Sequence, residues 1–260
     1  MSIDWNSTLA AIWRHQSGRL RPVSMLDPIQ LDDLVGIDAQ KGRLVQNTVA
    51  FLERRPAHNA LLWGARGTGK SSLVKAVLNG FHPRGLRVVQ VEREDLLVLP
   101  EIVDELRELP QRFLIFCDDF TFEAGDGVYK ALKTVLDGSI EVPPENILIY
   151  ATSNRRHLLP EFMSENRESR VVGEELHLAD SLEEKIALSD RFGLWLSFHP
   201  VNQEIYLQMV DSHLPEFSGD RTELHRAALQ FAQGRGVRSG RTASHFARHY
   251  RQSRENSGKE

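Results

Sequence analysis

The chain has 260 residues, of which 41% are hydrophobic and 26% are charged, as in an ordinary globular protein rather than a disordered one. The formal net charge of −4 argues against a generally basic nucleic-acid-binding surface, although it leaves room for a local basic patch. The single cysteine, Cys117, excludes a disulfide framework and fits a reducing compartment. Without a signal-peptide pattern or a long apolar run, we expect a soluble, cytoplasmic protein with no membrane span.

Residues 1–30 are polar and weakly patterned, and we interpret them as an N-terminal arm. Residues 31–200 alternate helical stripes with continuous apolar runs, which are typical of parallel strands buried on both faces. This alternation predicts a three-layer α/β domain around a parallel five-stranded sheet. The predicted strands are Ala60 to Trp63, Leu86 to Val91, Phe113 to Cys117, Ile147 to Ala151 and Leu194 to Phe198, and the predicted helices include Asp38 to Glu53, Ser71 to Leu78 and Val128 to Leu136.

Residues 201–252 lack the alternation of strand and helix patterns that precedes them. Three helical stripes follow one another with no strand pattern between them, and Asn202 stands where it can cap the first helix. This region predicts a small all-helical lid domain. Residues 253–260 are polar, and we expect a flexible tail there.

The segment from Gly64 to Ser71 matches the phosphate-loop pattern G-x-x-x-x-G-K-[ST] at every specified position. Its glycines let backbone N–H groups surround an anion, and the following helix adds the partial positive charge of its amino terminus. Lys70 is expected to contact the β- and γ-phosphates, and Ser71 to bind Mg²⁺. A chance Gly-rich turn is the alternative, which the strand before the loop and the stripe after it disfavour. The predicted ATP-binding residues are Gly64, Ala65, Arg66, Gly67, Thr68, Gly69, Lys70, Ser71 and Ser72.

Paired carboxylates follow the strand that ends at Cys117. Because parallel strands of one sheet end at the same edge, we expect Asp118 and Asp119 beside the phosphate loop. Asp118 would hold hydrated Mg²⁺, and Asp119 would polarise the attacking water. Asn154 follows the next strand and would orient that water from the other side. Simple strand caps are the alternative reading for all three residues.

The order of these motifs, followed by Asp-Arg-Phe-Gly at residues 190–193 and a helical lid with arginines, resembles the AAA+ ATPases. It is most similar to a bacterial family of stand-alone AAA+ ATP-binding proteins of unknown function. The resemblance extends from Leu31 to about Tyr250, nearly the whole chain. It departs from many AAA+ proteins at Asp119, where a glutamate is common, so that the base is one methylene shorter.

The resemblance implies further site residues. Asn154 would be the first sensor, and Arg191 an arginine finger that reaches the ATP of a neighbouring subunit in a ring or partial ring. Arg241 would be the lid sensor that contacts the γ-phosphate, with Arg238 as its competitor. Val35 and Gly36 belong to a segment that lines the adenine. An ordinary surface residue is the alternative for the arginines.

Three functions are compatible with these motifs. The first is an ATPase that remodels an unidentified protein client. The second is a nucleotide-gated loader or initiator acting on DNA, although the chain shows no helix-turn-helix appendage and no strongly basic overall surface. The third is a small-molecule P-loop kinase, which the separate helical lid disfavours. An ATP-binding scaffold with little hydrolysis is a further alternative, because of the shorter base at Asp119.

Overall fold

The computed structural model of the chain describes residues 3–120, 127–138, 140–154 and 191–257. The strands are β1 (Ala10–Arg14), β2 (Arg19–Pro22), β3 (Ala60–Gly64), β4 (Leu86–Val91), β5 (Arg112–Cys117), β6 (Ile147–Ser153) and β7 (Leu194–Phe198). The helices are α1 (Asp38–Leu52), α2 (Lys70–Phe81), α3 (Leu99–Leu106), α4 (Gly127–Asp137), α5 (Gln203–His213), α6 (Arg221–Arg235) and α7 (Gly240–Ser257). No helix within these ranges is long and apolar enough to cross a membrane.

The described strands form one sheet in the order β2-β1-β4-β5-β6-β3-β7. Strands β4, β5, β6, β3 and β7 run parallel to their neighbours, as the sequence predicts. In this register Cys117 pairs with Ala151, and Ala151 pairs with Leu61. The carboxyl ends of β5, β6 and β3 therefore lie side by side, and the residues that follow them meet at one edge of the sheet.

Helices cover both faces of the sheet, because parallel strands are joined by crossover connections. One apolar cluster joins α1 and α2 to the sheet, and a second joins α3 and α4 to the opposite face. This arrangement confirms the predicted three-layer α/β class. Helix residues that are almost completely buried include Leu44, Leu73 and Val77 in the first cluster and Leu99, Ile102 and Leu132 in the second.

The predicted strand count of five is wrong, because the sheet has seven strands. The two additional strands, β1 and β2, come from the segment interpreted as an arm. Strand β1 lies parallel to β4, with Ala11 opposite Val89, and β2 returns antiparallel to β1. The sequence pattern for these two strands is weak because β1 contains two alanines and β2 ends in Pro22. Both residue types are depleted in strands.

The residues before β1 are also anchored in the core. Trp5 is 6% exposed, and its ring packs edge-on against Phe113 with the centroids 4.9 Å apart. The buried Arg87 guanidinium donates hydrogen bonds to the carbonyl oxygens of Trp5 at 2.8 Å, Leu86 at 2.8 Å and His82 at 3.2 Å. These bonds offset part of the cost of burying a cation, and burial lowers the pKa of Arg87. The N-terminal segment is therefore part of the folded core.

Helices α5, α6 and α7 pack around an apolar cluster of their own, in the region that the sequence predicts to be a helical lid, and we call them the lid. Asn202 caps α5 by accepting a hydrogen bond from the Ile205 N–H at 2.8 Å. The Tyr206 hydroxyl is buried and donates to the Ala228 carbonyl at 3.1 Å, which ties α5 to α6. Helix α7 continues to Ser257, past residue 252, at which the sequence predicts the lid to end.

Replacement of Trp5 by alanine should lower the free energy of unfolding by about 3–5 kcal/mol, because it leaves a cavity against Phe113. Urea denaturation followed by circular dichroism measures this change. Met25→Ala is the control, because Met25 is 86% exposed and its truncation should change stability by no more than about 0.5 kcal/mol. A loss below about 1 kcal/mol for Trp5→Ala would show that the N-terminal segment is dispensable to the core.

Candidate nucleotide site

The phosphate loop connects β3 to α2 and is held against β7 and the lid. Gly64 has φ +130°, and a Cβ at this position would lie 2.0 Å from the Phe198 carbonyl oxygen, so no other residue fits without backbone movement. The Ala65 N–H donates to that same oxygen at 3.1 Å. Thr68 is buried and bonds back to the Ala65 carbonyl at 2.8 Å. The loop is thus fixed in shape by its own strand neighbours.

Lys70 is the first residue of α2 and is buried inside the loop. Its ammonium group donates hydrogen bonds to the carbonyl oxygens of Gly64 at 3.0 Å and Ala65 at 2.7 Å, and to Asn154 Oδ1 at 3.0 Å. Burial lowers the pKa of Lys70, while the charges of Asp118 and Asp119 oppose that shift. An anion bound at the loop would act in the same direction as the two carboxylates and favour the ammonium form.

Asp118 lies at the end of β5 with one carboxylate oxygen, Oδ1, in a dense set of hydrogen bonds. The hydroxyls of Ser71 and Thr152 each donate to this oxygen at 2.6 Å, and the Asp119 N–H donates to it at 3.1 Å. The predicted pair of magnesium ligands, Ser71 and Asp118, is therefore in direct contact. Three donors on one oxygen hold the carboxylate in a single orientation toward α2.

Asp119 adopts φ +52°, in the left-handed region, which aspartate enters more readily than most residues. Its N–H also donates to Thr152 Oγ1 at 3.0 Å, which stabilises this turn. The carboxylate of Asp119 accepts a hydrogen bond from Asn154 Nδ2. Because the other end of the Asn154 amide accepts from Lys70, a continuous polar chain runs from Lys70 through Asn154 to Asp119.

The residues at the start of α2 and the end of β5 fit Mg²⁺. A serine hydroxyl and a carboxylate are hard oxygen donors, and Mg²⁺ usually takes one or two such protein ligands and completes its shell with water and phosphate oxygens. Ser71 and Asp118 supply that number of ligands. Among the residues that the structure describes, no group of three or more His, Cys, Asp or Glu side chains has the arrangement of a dedicated metal centre.

An open cleft of about 560 Å³ adjoins this polar chain, within the size range of small-molecule sites. Its lining contains both positively and negatively charged side chains and is predominantly polar, which suits a hydrated, charged ligand. The lining residues are Arg66, Glu92, Arg93, Glu94, Asp118, Asp119 and Asn154. Ser72, in the first turn of α2, is only half-buried and does not line the cleft.

The lid touches the phosphate loop through the amino terminus of α7. The Gly240 N–H donates to the Gly67 carbonyl at 3.1 Å, and a Cβ on Gly67, which has φ +72°, would lie 2.9 Å from Ser239 Cβ. Ser239 Oγ accepts a hydrogen bond from the Thr242 N–H at 3.1 Å and caps the helix. Arg238 and Arg241 flank this contact and are exposed. Neither bonds to a described residue of the loop.

The segment predicted to line the adenine lies between the lid and the loop. Val35 is half-buried against the lid cluster. Gly36 has φ +78°, and a Cβ there would lie 2.4 Å from Ile205 Cγ2 of α5. A Cβ on Gly69 would lie 3.4 Å from Ile37 Cδ1, so this segment reaches the phosphate loop as well as the lid.

Arg191 lies near the amino end of β7, whereas the phosphate loop lies at the carboxyl ends of the strands. It precedes β7 by three residues, whereas the phosphate loop begins at the level of Phe198, where β7 ends. The strand between them spans about 13 Å at 3.3 Å per residue. The Arg191 guanidinium donates to Asp137, at the end of α4, at 2.6 Å and is 20% exposed. Asp190, the preceding residue of the predicted motif, lies outside the described residues.

Thr152 has a role in the site that no sequence motif predicts. Its hydroxyl is buried between Asp118 and Asp119, and it orients both. The register could have revealed it, because Cys117 pairs with Ala151, so the next residues of β5 and β6 are neighbours. Cys117 itself is buried, which raises the pKa of its thiol to about 12 and excludes it as a nucleophile at neutral pH.

Comparison with known proteins places the chain in a family. The sequence model described as "Protein of unknown function (DUF815)" matches residues 6–254, and the chain belongs to this family. No curated protein matches it.

Two solved structures of RuvB from Thermotoga maritima, an alanine-to-serine and a proline-to-glycine mutant, resemble the chain with TM-scores of 0.58 and 0.57. Their sequence identities to this chain are only 14% and 16%. The matches cover 86% and 87% of this chain but 65% and 66% of the RuvB chains, so the chain spans less than two thirds of their length. The likeness shows that the chain shares the fold of these RuvB structures, an α/β fold with a mostly parallel sheet.

Proposed function

We propose that this member of the DUF815 family binds ATP with Mg²⁺ and hydrolyses it to ADP and inorganic phosphate. The observation that carries the proposal is the polar chain from Lys70 through Asn154 to Asp119, beside the Ser71–Asp118 pair. A cation suited to phosphates, an oriented carboxylate and two oxygen ligands suited to Mg²⁺ thus lie together at the start of α2. These are the groups that phosphoryl transfer to water requires.

Each residue has a role in this reaction. Lys70 and the amino terminus of α2 bind the β- and γ-phosphates. Asp119 accepts a proton from the attacking water, whose oxygen bonds to the γ-phosphorus while the bond from that phosphorus to the β–γ bridging oxygen breaks and ADP leaves with the electron pair. Asn154 orients the Asp119 carboxylate and the water. When Mg²⁺ is bound by Ser71 and Asp118, it neutralises charge on the phosphates.

Arg191 is proposed to act on the ATP of a neighbouring copy. Its place at the amino edge of the sheet, away from its own phosphate loop, supports action in trans. A contact between unlike faces of two copies is heterologous and closes into a ring or partial ring when the rotation permits. The proposed assembly is therefore a homo-oligomer. Arg241, or its competitor Arg238, is proposed as the lid sensor, since both flank the contact between α7 and the loop.

The ATPase is proposed to act on a protein client. The client would be remodelled as the lid and the core change their relative positions through the hydrolysis cycle. A nucleotide-gated loader acting on DNA is the second candidate, which the arginine-rich helix α7 favours. A scaffold with little hydrolysis is the third, which the short side chain of Asp119 favours. The buried thiol of Cys117 fits a reducing, cytoplasmic setting.

Lys70→Ala should weaken Mg-ATP binding by about 10²–10⁴-fold, because removing a buried charge partner typically costs about 3–5 kcal/mol. Isothermal titration calorimetry measures the affinity. Lys75→Ala is the matched control, because Lys75 lies on the same helix but points to Asp27 at 3.0 Å and is half-exposed. Unchanged affinity in a folded Lys70→Ala protein would contradict the phosphate-loop assignment.

Asp119→Asn should keep Mg-ATP affinity while kcat for hydrolysis falls by about 10²–10⁴-fold, because the substitution removes a positioned proton acceptor. Steady-state phosphate release and calorimetry separate the two effects. Glu105→Gln, an exposed change of equal charge on α3, should leave both quantities unaltered. Wild-type turnover in Asp119→Asn would show that Asp119 only terminates the strand.

Arg191→Ala should leave ATP affinity unchanged and lower turnover by about 10³–10⁵-fold, the contribution of an arginine finger supplied in trans. Mixing this variant with Lys70→Ala should restore part of the activity, because an intact Arg191 then meets an intact phosphate loop across one interface. Mixing it with the double variant Lys70→Ala/Arg191→Ala should restore none. Turnover independent of protein concentration, without rescue, would show that one chain holds a complete site.

A further inference from the structure

The charge of this chain is strongly segregated. Residues 224–254 contain seven arginines and no lysine, aspartate or glutamate, whereas the whole chain has a net charge of −4. The remainder of the chain therefore carries a net charge of −11. Like charges concentrated in one helical pair repel one another, so an anion bound to them would relieve that repulsion.

Helix α7 presents two of these seven arginines on one face, with a histidine between them. Arg241, His245 and Arg248 are exposed and spaced at i, i+4 and i+7, which places them in one row. We name this row the α7 stripe. The opposite face of α7, with Phe246 and Ala247, is buried in the lid cluster. The stripe thus points away from the lid core.

The arginines of the stripe differ from two other lid arginines in their carboxylate partners. Arg251 donates to Glu216 at 2.9 Å, and Arg221 donates to Asp211 at 2.6 Å. Within the part of the chain that the structure describes, neither Arg241 nor Arg248 has a carboxylate within ion-pair distance. The positive charge of the stripe is therefore available to a ligand.

The composition of the stripe selects the class of ligand. Every exposed position that the structure describes on α7 carries a polar or charged side chain, so the surface has no apolar anchor of the kind that protein interfaces use. Arginine binds phosphate through two parallel hydrogen bonds. Arg241 and Arg248 are about 10.5 Å apart along the helix axis, close to the rise of three base pairs along the axis of a duplex, at about 3.4 Å per pair.

We propose that the α7 stripe binds the sugar–phosphate backbone of a nucleic acid without reading its sequence. This surface is connected to the phosphate loop, because the first N–H of the same helix donates to the Gly67 carbonyl at 3.1 Å. If the proposed ATP site is correct, occupancy of the stripe and of the loop changes the affinity of each by the same factor. Binding to the stripe itself does not depend on that condition.

Fluorescence anisotropy of the full chain with a labelled 20-base-pair DNA duplex, without nucleotide, tests the proposal. Two arginine–phosphate contacts, from Arg241 and Arg248, predict a slope of log affinity against log salt near −1.8, or about 12-fold weaker binding between 50 and 200 mM salt. Arg248→Ala should weaken binding to every duplex and reduce the slope by about 0.9. Arg19→Ala is the matched control, because Arg19 is exposed on β2 and its removal changes net charge equally.

Single-stranded DNA and an RNA duplex of equal length identify which nucleic acid binds best, and preferential binding of any of them supports the proposal. Equal losses in Arg248→Ala and Arg19→Ala, or no binding at 50 mM salt, would overturn it. Equal binding of poly-glutamate at matched charge would also overturn it. Circular dichroism and ATP titration of Arg248→Ala show that the variant is folded, and ATP binding without nucleic-acid binding would refute this inference alone.

Discussion

The parallel register of β5, β6 and β3 is the constraint on which the whole site depends. Cys117, Ala151 and Leu61 stand at one level of the sheet, so each strand delivers its next polar residues to the same edge. A slip of one residue in β6 would turn Thr152 away from Asp118 and break two hydrogen bonds at once. Apolar packing on both faces of the sheet fixes this register, and the chemistry of the site depends on the burial of the core.

The parts of the structure that the sequence predicts are those with a strong local signal. The phosphate loop, the five central strands and the acidic pair rest on spacing and on continuous apolar runs, which short-range physics determines. The β1–β2 hairpin has no strong local signal because it is stabilised by a strand far along the chain, β4, with Ala11 opposite Val89. The pairing of Arg191 with Asp137 was equally invisible, because 54 residues separate them and no periodicity relates them.

Lys70 illustrates how a buried cation is tolerated before any ligand arrives. Two loop carbonyls and the Asn154 amide satisfy its donors, so the unliganded site leaves no orphaned charge. The same contacts hold the ammonium where a phosphate would meet it, which lowers the reorganisation that binding requires. Because Asn154 also bonds to Asp119, a change in the partners of Lys70 is transmitted to the carboxylate that the proposed reaction uses.

Arg241 belongs to both of the ligand surfaces that we propose for the lid. Ser239 caps α7, so Arg241 stands in the first turn, where a cation is disfavoured by about 0.3–1 kcal/mol through the helix dipole. A phosphate nearby reverses the sign of that effect, whether it belongs to a nucleotide on the loop side or to a nucleic acid along the stripe. An arginine at this position therefore stabilises α7 more when an anion is bound than when none is. The helix that contacts the phosphate loop would thus be stabilised by an anion bound at either of the proposed surfaces.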